Sequence, residues 1–260
     1  HAATAEHPFV SLALFRDRNF VAATALMFLI GMLLYGTLAL LPPLLQDLMN
    51  YPVVTTGNVL APRGIGTLIA MGVVGRLTGR VDARLLLLVG FGVTAYSLWL
   101  MTGYSLQMGM WPVVSTTVMQ GFGLGMVWVP LSTVSFATLP ARYRTEGSAF
   151  SSLVRNVGGS IGISIGYSEL VRNIQANHAA LAQFASPLNR MLATPEAQHA
   201  WNMHTTAGMA AMNAEITRQA AMIAYLDDFK LLMVLTLILI PLLLLIKDTR
   251  GAAKMAAALD

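Results

Sequence analysis

The sequence predicts an all-α membrane protein with six transmembrane helices and both termini on the cytoplasmic side. Three observations carry this. Of 260 residues, 56% are hydrophobic and only 11% charged, against roughly 25% charged in soluble domains. Residues 85 to 141 contain no Asp, Glu, Lys, Arg or His, and one crossing takes about 20 apolar residues as a helix, so this stretch alone crosses twice. The apolar runs are continuous and lack the in-out alternation of barrel strands.

Charges and turn residues cut the chain into spans. Helix 1 is expected at about 20–45, between Arg18 and Asp47, ending near Pro42-Pro43. Helix 2 follows Tyr51-Pro52 at about 55–78 and is interrupted by Pro62-Arg63-Gly64. Helix 3 takes 84–103 and helix 4 takes 110–138, parted by Gly103-Tyr104-Ser105 and reopened by Trp111-Pro112. Helix 5 takes 146–171. The uncharged core of helix 6, residues 231–246, is short, so the span is extended back past Lys230 and Asp228, which can sit at the interface. The domain plan is a cytoplasmic linker (1–19), helices 1 to 5 (20–171), a part-helical extracytoplasmic loop (172–225), helix 6 (226–247) and a cytoplasmic tail (248–260). Within the loop, Met209, Met212, Ile216, Ala220 and Ile223 recur at helical spacing and predict an amphipathic helix leading into helix 6. His1 opens the chain with no signal-peptide pattern behind it, and a piece of a longer protein is expected.

The net charge of +4 reports orientation. Arg16, Arg18, Arg76, Arg80, Arg84, Arg142, Arg144, Lys247, Arg250 and Lys254 fall on one side, and Arg172, Arg190, Arg218 and Lys230 on the other. The first side is therefore cytoplasmic. Nucleic acid is not an expected partner; the lipid bilayer is.

Two arginines fall inside spans, where a charge costs about 2.5 to 3.5 kcal/mol on the insertion scale and usually faces a partner or a wet cavity. At 1.5 Å per residue, Arg63 lies roughly 12 Å from the outer end of helix 2 and Arg155 roughly 13 Å from the cytoplasmic end of helix 5. Either lines a translocation path, or each satisfies helix carbonyls or snorkels. Tyr35, Thr37 and Gln46 on helix 1, Gln120 and Trp128 on helix 4, and Asn156 on helix 5 complete a candidate cavity. Few polar groups on a large apolar surface would suit bulky lipophilic, cationic substrates; ordinary interhelical contacts are the alternative for each residue singly. Acidic residues in spans carry protons in pumps, yet Asp47, Glu146, Glu169, Asp227 and Asp228 all fall at span ends. A proton carrier is thus expected outside this chain.

Small residues four apart let helices approach closely, and Gly158, Gly162 and Gly166 repeat that device on helix 5, as do Gly121 and Gly125 on helix 4 and Gly72, Gly75 and Gly79 on helix 2. Enzymatic chemistry is not expected: there is no phosphate loop, no His-Glu-x-x-His, no nucleophile elbow and no cysteine. No metal site or cofactor is expected either.

The order of motifs is more specific than any one of them. Arg18-Asn19-Phe20, Leu41-Pro42-Pro43-Leu44-Leu45-Gln46, Ala61-Pro62-Arg63-Gly64, the basic run at 75–84, Gln120-Gly121-Phe122-Gly123-Leu124-Gly125, Leu139-Pro140 and Arg155-Asn156-Val157-Gly158-Gly159-Ser160-Ile161-Gly162 follow one another. In that order they resemble the carboxy-terminal half of the Emr/Qac-type drug:proton antiporters, the fourteen-helix branch of the major facilitator superfamily. The resemblance implies a six-helix half-domain that rocks against an amino-terminal half in the bacterial inner membrane. It also implies efflux of small lipophilic compounds powered by the proton gradient, with a periplasmic adaptor as a possible partner of the long loop. Gly75, Arg76, Arg80, Asp82 and Arg84 look like a degenerate copy of the superfamily's gating-loop motif, with Gly79 standing where that motif carries its acid. The alternative is a complete six-helix permease subunit or membrane scaffold energised by a partner.

Overall fold

A computed structural model describes residues 12–186, 189–202 and 204–243. After a 3-10 turn at Leu12–Arg16, the helices are α1 (Arg18–Pro43), α2 (Val53–Leu60), α3 (Pro62–Leu77), α4 (Ala83–Met101), α5 (Met110–Ala137), α6 (Ala141–Ala182), α7 (Pro195–Ala200) and α8 (Thr206–Leu242).

Local chemistry sets most of these boundaries. Asp17 caps α1 by accepting the Phe20 N–H at 3.0 Å. Pro42 and Pro43 remove two donors from its last turn, and the chain widens into a π turn at Leu44–Leu48. Asn50, at φ 56, then turns it away, a conformation that asparagine tolerates better than most residues. Pro62 separates α2 from α3 and sits at the first position of the new helix, where its missing N–H costs nothing. The turn after α3 passes through Gly79 at φ 86 and closes on Asp82, which caps α4 by accepting the Arg84 N–H at 3.0 Å.

The six long helices form a bundle in which α1 packs against both α5 and α8. On the outside, α3 packs on α5, α4 bridges α5 and α8, and α6 bridges α1 and α8. The core between them is built from Leu26, Leu33, Leu41, Phe91, Leu98 and Phe229. Near the α4–α5 turn, Tyr96, Trp99 and Trp111 stand 50%, 55% and 76% exposed, as an interfacial aromatic belt would. Inside that turn the Tyr104 hydroxyl is hydrogen-bonded to Thr116, and burial pushes it up to about 12, so it stays neutral.

Four segments are long and apolar enough to cross a membrane: Arg18–Leu48, Val53–Leu77, Ala83–Met101 and Met110–Ala137. These match the first four predicted spans closely. The helices α6 and α8 differ more from expectation. At 42 and 37 residues they measure about 63 and 55 Å, well beyond a hydrocarbon core of about 30 Å. Residues 173–182 contain neither Gly nor Pro, so α6 continues past the end of its apolar run. A change in polarity marks where a helix leaves the membrane, not where the helix stops. The extensions brace each other through His178 Nε2 and Asn213 Oδ1 at 3.0 Å. The stripe expected on the first part of α8 holds in part: Ala220 is buried and Met212 and Ile216 are half-buried, while Met209 and Ile223 are exposed. The predicted basic tail, with Lys247, Arg250 and Lys254, lies outside the described residues, as do residues 1–11.

Candidate functional site

The seam between α1 and α6 is built from glycines on both sides. Gly31 lies against the Arg155 backbone and Gly158 against the Phe28 backbone, and a Cβ at Gly162 would sit 2.6 Å from Met32 Cα. Backbones this close leave no room for any side chain. Gly166 departs from the expected series: its nearest neighbour would be Leu40 Cδ1 at 4.0 Å, so the seam has opened by that level. A second seam joins α3 to α5, where Gly66 meets the Val118 carbonyl, Gly121 meets the Arg63 carbonyl and a Cβ on Gly125 would fall 2.8 Å from Ala70 Cβ. Gly72, Gly75 and Gly79, expected to pack, face no neighbouring helix. Gly72 and Gly75 lie on the largely exposed side of α3, beside exposed Ile65, Leu68 and Ile69, and Gly79 lies in the turn that follows.

Four of the candidate cavity residues gather where α6 meets α1 and α5. Tyr35 and Asn156 line an open cleft of about 390 Å³ with Gly159, Ser160 and Ile163, within the 300 to 1,000 Å³ or so of small-molecule pockets. One residue back along α6, the Arg155 guanidinium sits 4.8 Å from the centre of the Trp128 ring, a cation–π contact that holds a charge over an apolar surface. Gln120 is buried at the α1–α5 contact and donates from Nε2 to Thr37 Oγ1 at 3.2 Å. Its Oε1 has no partner among the described residues. Gln46 stands apart on the π turn at the end of α1.

Arg63 is separate from this group. Its carbonyl and Cγ lie against Gly121 on α5, and its two terminal nitrogens are buried with no acceptor among the described residues. Buried donors in that state call for an acceptor. In the basic loop, Arg76 reaches back to the Gly72 carbonyl at 3.4 Å. Arg80 is exposed, and Arg84 Nε is buried without a partner among the described residues. Asp82 spends an oxygen on capping α4, and the left-handed backbone at Gly79 explains a glycine there on conformational grounds alone.

Sequence reasoning missed one residue. Asp228, expected at an interface, is 1% exposed, and neither carboxylate oxygen has a hydrogen-bond partner among the described residues. Expected at the end of a span, this carboxyl is buried inside the bundle. The signal was present in the sequence: Ala221, Tyr225, Asp228 and Leu232 recur at three- and four-residue spacing, and all four are buried.

Comparison with known proteins places these features. The profile of the Major Facilitator Superfamily matches residues 2–163. The chain is 30% identical over 261 aligned positions to the multidrug export protein EmrB of Escherichia coli K12, covering 96% of this chain and 49% of that protein. It is 29% identical to the fatty acid resistance protein FarB of Neisseria gonorrhoeae, over 93% of this chain and 48% of that one. It is also 26% identical to the probable multidrug resistance protein EmrY of E. coli K12, over 88% and 45%. The chain spans about half the length of these curated relatives. With its long apolar helices joined along glycine seams and a family profile matching more than half of its residues, this integral membrane protein belongs to the major facilitator superfamily.

Proposed function

We propose that this chain is the carboxy-terminal, six-helix half of a proton-driven exporter of lipophilic compounds in a bacterial inner membrane. The observation that carries the reading is the similarity to EmrB, which runs along 96% of this chain yet occupies only 49% of EmrB. In this reading α6 and α8 are the fifth and sixth spans, both termini are cytoplasmic, and the extended ends of α6 and α8 with α7 between them form the outer loop. That loop is the natural contact for a periplasmic adaptor.

The mechanism follows from the seams. Close glycine contacts make α3 with α5, and α1 with α6 as far as Gly162, stiff pairs that move as units when one half rocks against the other, while the α1–α6 seam is open at Gly166. The Tyr35–Asn156 cleft offers the hydroxyls of Tyr35 and Ser160 and the Asn156 amide beside Gly159 and Ile163, so substrates are held by hydrogen bonds as well as by area. Arg63 holds donors with no acceptor among the described residues, which an acceptor from the other half or water would satisfy.

The test is efflux by the full-length protein containing this chain, expressed in a drug-hypersensitive strain and loaded with a fluorescent lipophilic cation. Uncoupler-sensitive export is expected. Export that survives an uncoupler but stops on ATP depletion overturns proton drive and favours the permease-subunit reading.

A further inference from the structure

We propose that Asp228 is a proton-binding site of this half, loaded and unloaded as α1, α6 and α8 close and part. The inference rests on the proton-driven reading above.

Its place in the fold comes first. Arg218 Nε donates to the Leu48 carbonyl at 3.4 Å, which sets α8 level with the end of α1. Asp228 lies ten residues further along α8, or about 15 Å deeper. Gly36, which lines the same cavity as Asp228, lies about 18 Å from Leu48 by the same count. Two helices thus place the carboxyl far inside the bundle.

Its surroundings come second. The cavity at Asp228 is lined by Met32, Gly36 and Leu40 of α1 and by Gly162, Ile165 and Gly166 of α6, with α8 leucines completing it. Apart from the carboxyl itself, none of these side chains can donate a hydrogen bond, and the Met32 thioether is only a weak acceptor. Its volume is about 20 Å³, room for one water and no more, since one water needs about 10 to 15 Å³. A drug-sized cation does not fit, which separates a proton site from a substrate anchor. The ionisable groups acting on Asp228 are acidic: Glu169 from α6 and Asp227 beside it. Tyr225, a turn earlier, is acted on by Tyr167 of α6 and Asp47 at the end of α1, and the α4–α5 turn contributes Tyr104 against Phe229. Asp228 forms no ion pair among the described residues.

The cycle follows from these contacts. A buried carboxyl with no partner is accommodated as the neutral acid, because an unpaired charge there is prohibitively costly. Where the α1–α6 seam loosens at Gly166, further parting lets water in, and Asp228 gives its proton to water as hydronium, leaving the hydrated carboxylate. Closing the seam requires a proton back from water. Protonation and closure are therefore linked.

The experiment uses the full-length transporter in proteoliposomes, with a fluorescent lipophilic cation as substrate and an imposed pH gradient. For Asp228→Asn the expected result is loss of uphill transport with counterflow exchange retained, since exchange needs no net proton movement. Asp228→Glu is expected to restore part of the uphill transport. Wild-type uphill transport by Asp228→Asn overturns the proposal, and so does loss of counterflow in a variant that still elutes as a folded monodisperse protein. If Asp228→Asn does not fold, the carboxylic-acid carbonyl band in the infrared decides: its frequency shifts in Asp228→Glu if Asp228 carries the proton, and its being unchanged overturns the proposal. If the wild type itself ignores the pH gradient, the broader proton-driven reading fails, a distinct result.

Discussion

Gly158 and Gly75 are both glycines in long helices, and the structure predicts opposite outcomes for the same substitution. A methyl at Gly158 meets the Phe28 backbone, which cannot move without shifting α1, so Gly158→Ala should destabilise the protein by about 1 to 3 kcal/mol. A methyl at Gly75 meets nothing, and Gly75→Ala should stabilise α3 by about 0.5 to 1 kcal/mol. Thermal unfolding in detergent, read by loss of the monodisperse peak, measures both; equal effects would remove the seam argument. Gly162→Leu is expected to abolish assembly outright, because Met32 Cα stands 2.6 Å from where its Cβ must go. At Arg63 the expectation is functional. Arg63→Ala removes donors that have no partner within the described residues, so expression should persist while efflux by the full-length protein falls. Normal efflux by that variant would leave Arg63 a structural role only.

At the scale of the element, the long α6 and α8 make a firm topological prediction. The chain has no cysteine, so single-cysteine variants can be labelled without background. A cysteine at Ala200, on α7, should react with a membrane-impermeant maleimide in intact spheroplasts. One at Arg80, in the turn between α3 and α4, should react only after permeabilisation. The reverse pattern would invert the orientation drawn from the arginines and lysines. A photo-crosslinker at Trp201, just past α7, should capture a periplasmic adaptor where one is co-expressed; capture of none would detach the loop from that role.

For the whole molecule, the prediction concerns completeness. A half that works by rocking against another half should not transport alone, and this chain by itself should reconstitute without efflux activity. Co-expression with the amino-terminal half of the same transporter should restore uncoupler-sensitive export. Transport by the isolated chain would overturn the half-transporter reading.

The sequence by itself determined that the chain is a helical membrane protein, where the first four spans lie, and, Gly166 apart, that the glycines expected to pack on α5 and α6 admit a neighbouring backbone. Runs of apolar residues, prolines and caps act locally, and local signals are written in order along the chain. The tertiary structure decided which helix each glycine meets, and so sorted Gly158 and Gly162, which pack, from Gly72 and Gly75, which do not. It brought Tyr35 to Asn156 and Arg155 to Trp128, contacts between helices that no spacing within one helix specifies. It also decided the depth of Asp228. Read along α8, that residue stands just before the apolar run and looks interfacial. Packed against α1 and α6, it is buried inside the bundle. Depth is a property of the bundle, because a helix longer than the bilayer can slide along its own axis until its neighbours fix it.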